Sequence, residues 1–163
     1  MFDGKDVKVQ VVDGVLVVAT PYTDEVPPKF RKLGGKWDGG RKVWTFDPRD
    51  EGRVKAVIEK VYGPVEMTGE LVTLRYTVSM DTCRGNVLRL AGRTIASRYG
   101  RDYAVRIAPG VVIIEGDFPA SGGRARYPAL FNRPLVSVVL EIRDVDRAIA
   151  QRMIEEGAEE WTE

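Results

Sequence analysis

The sequence predicts an α+β fold, on three observations. Apolar and polar residues alternate with period two over many short runs, the pattern of half-buried strands. Only three segments carry helical signals, and Gly, Pro and Asp punctuate nearly every junction. The 163 residues are 44% hydrophobic and 30% charged, enough apolar surface for a globular core and too much for a disordered chain. The expected arrangement is a small N-terminal module of hairpins and two helices (residues 1–63), a linker (64–69) and a mostly antiparallel β domain (70–163). A C-terminal helix closes that domain, and its many short strands would allow a small barrel.

The elements follow in chain order. KVQVVDGVLVVATPY alternates around Asp13-Gly14, a favourable two-residue hairpin turn. In TDEVPPKFRKLGG, Pro27 and Pro28 fit only a helix's first turn, Phe30 and Leu33 form a short apolar face, and Gly34-Gly35 stop it. KWDGGRKVWTF reads as a second hairpin, with its turn at Asp38, Gly39 and Gly40. Asp47 then serves as an N-cap with Pro48 at the first helical position. Val54, Val57, Ile58, Val61 and Tyr62 recur at the spacing of one helical face before Gly63-Pro64.

Past the linker, Val72, Leu74, Tyr76, Val78 and Met80 alternate along a strand with one buried face. Further strands are expected at NVLRLAG, TIASRY, DYAVRIA, VVIIEGDF and LVSVVLEI. PASGGRARY (119–127) is expected to be a loop. A last helix is predicted from Asp144, as its cap, to about Glu156, burying Val145, Ala148, Ile149 and Met153.

Composition narrows the chemistry. The chain has no histidine, which removes Ser-His and Cys-His nucleophile pairs and the commonest transition-metal ligand. Its one cysteine, Cys83, excludes an intrachain disulfide and a zinc-finger arrangement. Near Arg84 that thiol could have a lowered pKa, although a structural thiol is the plainer reading. Glu115 and Asp117 share a face at a strand end, but a two-metal nuclease needs more carboxylates. No catalytic residue, metal ligand or cofactor is therefore assigned. MFDGKDVKVQ has no basic-then-apolar leader, and the longest apolar runs are strand-sized, so a cytoplasmic protein without membrane spans is expected.

Net charge is +1, but its distribution is uneven. Residues 29–49 hold seven Lys/Arg against two acids, and residues 84–106 hold six Arg against Asp102 alone. Residues 141–163 reverse this, with eight acids against three Arg. Two basic faces aimed at a polyanion are one reading; a solvated mixed surface is the other.

The candidate contacts are Lys29, Arg31, Lys32, Lys36, Arg41 and Lys42 around Trp37, a basic groove with an aromatic platform as single-strand binding requires. Arg89, Arg93, Arg98 and Arg106 form the second set, and Arg124 and Arg126 on the 119–127 loop the third. Trp44 and Phe46 share a face and fit the module's core better than a surface. The acidic end EEGAEEWTE, with Trp161, is either a frayed tail or a docking point for a protein partner.

The order strand, Tyr22, short helix with Phe30 and Leu33, Gly35, Trp37-Asp38, then Trp44-Thr45-Phe46 before Asp47-Pro48 resembles the HARP-type module of annealing helicases. The string LGGKWD…VWTFDPRDE also resembles uncharacterised proteins of phages and integrating elements. The HARP resemblance spans roughly residues 8–63 and implies binding to branched or single-stranded DNA. No GxxxxGK[ST] phosphate loop occurs, so no ATPase or annealing activity comes with it. The resulting expectation is a non-enzymatic nucleic-acid-binding protein, DNA preferred to RNA, working mainly through phosphate contacts. The alternative is an adaptor or inhibitor of a host nucleic-acid enzyme, acting through the acidic C-terminal helix.

Overall fold

The computed structural model describes residues 6–162. The first hairpin pairs β1 (Lys8–Val12) with β2 (Val15–Ala19), Val12 opposite Val15. Asp13 and Gly14 both take positive φ, 50° and 76°, as a turn matching the strands' twist requires. Helix α1 (Val26–Lys32) has Pro27 and Pro28 in its first turn, where the backbone N–H groups lack intrahelical acceptors anyway. It ends where the Gly34 and Gly35 amides donate back to the Arg31 and Phe30 carbonyls, at 3.0 and 2.9 Å.

Strands β3 (Lys36–Asp38) and β4 (Val43–Phe46) complete an antiparallel sheet in the order β1-β2-β4-β3. Asp47 is extended, and its carboxylate accepts from the Arg49 amide at 2.9 Å. A 3-10 turn, Pro48–Asp50, then leads into α2 (Glu51–Tyr62). Leu16, Val18, Trp44 and Phe46 line one sheet face, against Val26 and Phe30 of α1 and Val54, Ile58, Val61 and Tyr62 of α2. Phe30 stands edge-on to Trp44 and Phe46, with centroids 5.5 and 5.2 Å away. Trp44 and Phe46 are thus core residues.

The second part has its own core. Strands β5 (Leu71–Ser79), β9 (Val111–Glu115), β10 (Ser137–Asp146) and β11 (Glu159–Trp161) form a sheet in the order β11-β5-β10-β9. Strands β6 (Val87–Leu90), β7 (Arg93–Ser97) and β8 (Arg106–Ile107) form another. All pairings are antiparallel, and helix α3 (Arg147–Glu155) buries Ala148, Ile149, Ala150 and Met153. The chain is α+β as expected. Both sheets keep free edges, and the described strands close no barrel.

Two local expectations need correction. Helix α3 begins three residues after Asp144, because β10 continues through a register shift between Ile142 and Val145, with Asp144 at φ 55°. Asp146 is the cap: it is extended, and its carboxylate accepts from the Ala148 amide at 3.0 Å. The terminal stretch is not a frayed tail, since Glu159–Trp161 pair with Thr73–Arg75 as an added edge strand.

The two cores meet at Tyr62 and the Ala91-Gly92-Arg93 turn. Gly92 has φ +70°, and any side chain there would overlap the Tyr62 ring. No helix among the described residues is long and apolar enough to cross a membrane.

Candidate nucleic-acid interface

Trp37 lies on the edge strand β3, directly opposite Trp44. Strand alternation points both rings to the helix-bearing face, 5.4 Å apart and inclined at 54°. Trp44 is sealed beneath Phe30, but Trp37 is 52% exposed. The Arg31 guanidinium lies 5.7 Å from the Trp44 ring centre. A row of aromatics therefore runs out of the core and ends in an accessible indole beside the cationic end of α1.

The surrounding cations divide by face and by partner. Arg31 and Lys32 stand on α1, on Trp37's side of the sheet. Lys36 is Trp37's neighbour in sequence, yet alternation sends it to the opposite face with Asp38. Asp38 closes the turn, accepting from the Gly40 and Arg41 amides at 3.0 and 3.1 Å and from Arg41 Nε at 2.7 Å. The Arg41 guanidinium, followed by these amides, holds the Asp38 carboxyl below its ordinary range. Lys29 pairs with Glu25 one turn earlier. Arg31, Lys32, Lys36 and Lys42 have no carboxylate partner among the described residues, so their charge is available to an anion. The exposed pairs at Lys29 and Arg41 are weak enough to exchange for one.

The second set of arginines does not form one face. Arg93 is 1% exposed, and its Nη1 donates to the carbonyls of Tyr62 and Ala91 at 3.1 and 2.6 Å. It fastens the two cores together and cannot reach a phosphate. Arg98 is fully buried and donates to five carbonyls: Ala129, Tyr103, Ala120, Pro119 and Leu130. It too is withdrawn from any interface. Burial pulls both guanidinium groups below the usual arginine pKa. Arg89 is half-buried in a cleft of about 410 Å³ between the two parts, which Lys60 and Arg152 share with Asp24, Glu25 and Glu156. Mixed charge there gives no net attraction for a polyanion.

Arg106, Arg124 and Arg126 are exposed, and they lie close in sequence to tyrosines that the sequence reading passed over. Tyr99, Tyr103 and Tyr127 are 87, 61 and 67% exposed. RYGRDY and RARY interleave tyrosine with arginine in turns, outside any apolar alternation, and that was the available signal.

The acidic end is largely engaged within the fold. Arg147 donates to both Glu160 oxygens at 2.8 and 3.0 Å and to Glu70 at 3.0 Å, which lowers the Glu160 pKa. Glu155 pairs with Arg152, and Glu156 accepts from the Ala91 amide at 2.6 Å. Trp161 is half-covered, with the Arg75 guanidinium 3.4 Å from its ring centre. It sits on strand β11 and not on a helix, so the acidic helix and Trp161 are separate features.

Glu115 and Asp117 are exposed at the end of β9. Among the described residues no three His, Cys, Asp or Glu side chains are grouped to hold a metal ion. Cys83 donates to the Val87 carbonyl at 3.2 Å, and burial pushes its thiol pKa up, opposite to the direction its arginine neighbours suggested.

No family model, curated protein or solved structure matches this chain.

Proposed function

We propose that this chain is a non-enzymatic nucleic-acid-binding protein of the cytoplasm that holds single-stranded or branched DNA with little sequence preference. One observation carries the reading. A half-exposed indole continues an aromatic row out of the core, with unpaired cations on the adjoining helix end and turn. A base can stack on Trp37 while its phosphates meet Arg31, Lys32 and Lys42. The HARP-like role belongs to the same proposal, limited to binding.

Fluorescence anisotropy with labelled single-stranded, forked and duplex DNA tests it. Single-stranded and forked DNA should bind more tightly than duplex, with affinity falling steeply with salt. If Arg31, Lys32 and Lys42 all engage, log K against log salt should have a slope of about −2, at ~0.7 per phosphate. Trp37→Ala should cost about 1–3 kcal/mol in single-strand affinity, the usual worth of one stacked base. Lys32→Glu with Lys42→Glu should weaken all DNA forms together and flatten the slope. Absence of binding by the unaltered chain at about 50 mM salt, where phosphate attraction is strong, sinks the proposal.

A further inference from the structure

We infer that the cleft at Tyr99 and Tyr103 is a second, separate site that stacks an unpaired base of single-stranded nucleic acid, with Arg106 contacting its phosphate. The inference rests on the nucleic-acid reading above but uses other residues.

Its first support is what Arg98 does. The guanidinium sits inside a cage of backbone carbonyls contributed by residues 103, 119, 120, 129 and 130, with no carboxylate near it. The 99–103 turn pinned by this cage adds little to the core: Tyr99, Arg101, Asp102 and Tyr103 are all exposed. A buried charge fully bonded to hold an exposed turn is a device for presenting that turn rigidly. Rigid presentation lowers the ordering cost of binding.

The second support is what the turn presents. Tyr99 and Tyr103 pack edge to face, centroids 5.4 Å apart at 88°, an arrangement that covers a face of only one ring. They line a cleft of about 340 Å³ with Asn86, Ser97 and Arg106, within the roughly 300–1,000 Å³ range of small-ligand sites. Arg106 lies across from Ser97 in the β7–β8 pair, so regular strand structure sets its position.

Charge selects the occupant. Segments 98–106 and 119–128 contain five arginines and one acid, Asp102. That acid is taken up by Arg101, through contacts of 2.8–3.1 Å. The Gly122 amide donates to the Arg101 carbonyl at 3.0 Å, so the loop bearing Arg124, Arg126 and Tyr127 starts beside the turn. With Arg98 buried and Arg101 paired, the exposed rings lie among Arg106, Arg124 and Arg126. Such a surface matches a single strand, whose bases stack and whose backbone is anionic.

Anisotropy with a labelled oligo-dT strand, an RNA strand of the same sequence and a duplex tests the site. Tyr99→Ala with Tyr103→Ala should weaken single-strand binding about tenfold or more and duplex binding much less. Tyr99→Phe with Tyr103→Phe keeps the rings and should bind within about twofold of the unaltered chain, stacking being a property of the ring. Arg106→Gln, which leaves the rings in place, should reduce the single-strand salt slope by about 0.7. Unchanged affinity in the double alanine variant, or an unchanged slope in Arg106→Gln, overturns this site even if Trp37→Ala weakens binding. Failure of the unaltered chain to bind any strand overturns both proposals together.

Discussion

Arg98→Met should lower the stability of the β-rich part by about 4–5 kcal/mol, a loss at the far end of what single substitutions do. Methionine approximates the length of the arginine stem and fills much of its space, but it donates nothing. The five carbonyls now held at 2.6–3.2 Å would lose their donor at once. A stranded buried acceptor costs about 1–3 kcal/mol. Five such losses will not add in full, because loops carrying residues 103, 119 and 120 can open and let water in, and removing the buried charge returns some energy. Arg98→Lys should recover less than half of the loss, since an ammonium has three donors at one point where the guanidinium has a planar fork. Urea denaturation measures the change, and a melting-point drop of roughly 10–20 °C should accompany it. Hydrogen exchange should find the amides of Gly122, Ala129 and Leu130 deprotected first, since they sit in the loops the cage holds. A loss below about 1 kcal/mol would show that these carbonyls are already hydrated.

The contrast between Arg98 and the first hairpin marks how far sequence reasoning reaches. Asp13-Gly14 and Asp47-Pro48 act through backbone preferences of two or three residues, so their turn and helix start were legible locally. The 71–79 strand announced itself by alternation. Helix α3 did not begin where expected because Asp144 and Asp146 are equally good caps in sequence, and only the pairing of Val145 with Val72 decides between them. Strand β11 has no alternating pattern of its own and owes its form to the open edge of β5. Arg93 was readable in part: it shares parity with Ile95 on β7, so period two already aimed it inward. Arg98 stands beyond the strand's end, and its cage comes from segments up to 32 residues away, which no local pattern reports. The candidate site divides in the same way. Trp37 as the accessible member of the aromatic cluster followed from its place beside a turn. Lys36 was expected beside Trp37 in the same groove, but it lies on strand β3 next to Trp37, and alternation carries it to the other face. Tyr99 and Tyr103 needed the fold to show that a short polar turn is held rigid.

Asp146→Ala should cost about 3 kcal/mol at neutral pH, and the cost should shrink in acid. The Asp146 carboxylate is buried and accepts four hydrogen bonds: from the Ala148 and Thr68 amides and the Thr68 hydroxyl at 3.0 Å, and from the Gly69 amide at 2.9 Å. It caps α3 and also fixes the segment joining the two cores. Loss of a cap alone costs about 0.5–2 kcal/mol, and the bonds to Thr68 and Gly69 carry the rest. Burial by itself would raise the Asp146 pKa, but the Thr68, Ala148 and Gly69 amides with the Thr68 hydroxyl outweigh it and hold the pKa below the ordinary value. A depressed folded-state pKa means that the unfolded chain takes up the proton first. The stabilisation is therefore complete above the unfolded value of about 3.9 and is lost as pH falls through the folded one. Urea titrations of both proteins between about pH 7 and pH 3 should show the gap narrowing below about pH 4. Asp146→Asn should resemble the protonated form, because its amide group directs N–H toward donors that need an acceptor. A gap that stays constant across the range would mean that the cap works through shape and not through charge. Proteolysis separates the two contributions: if the carboxylate holds the joining segment, Asp146→Ala should be cut between residues 64 and 70 while the unaltered chain resists.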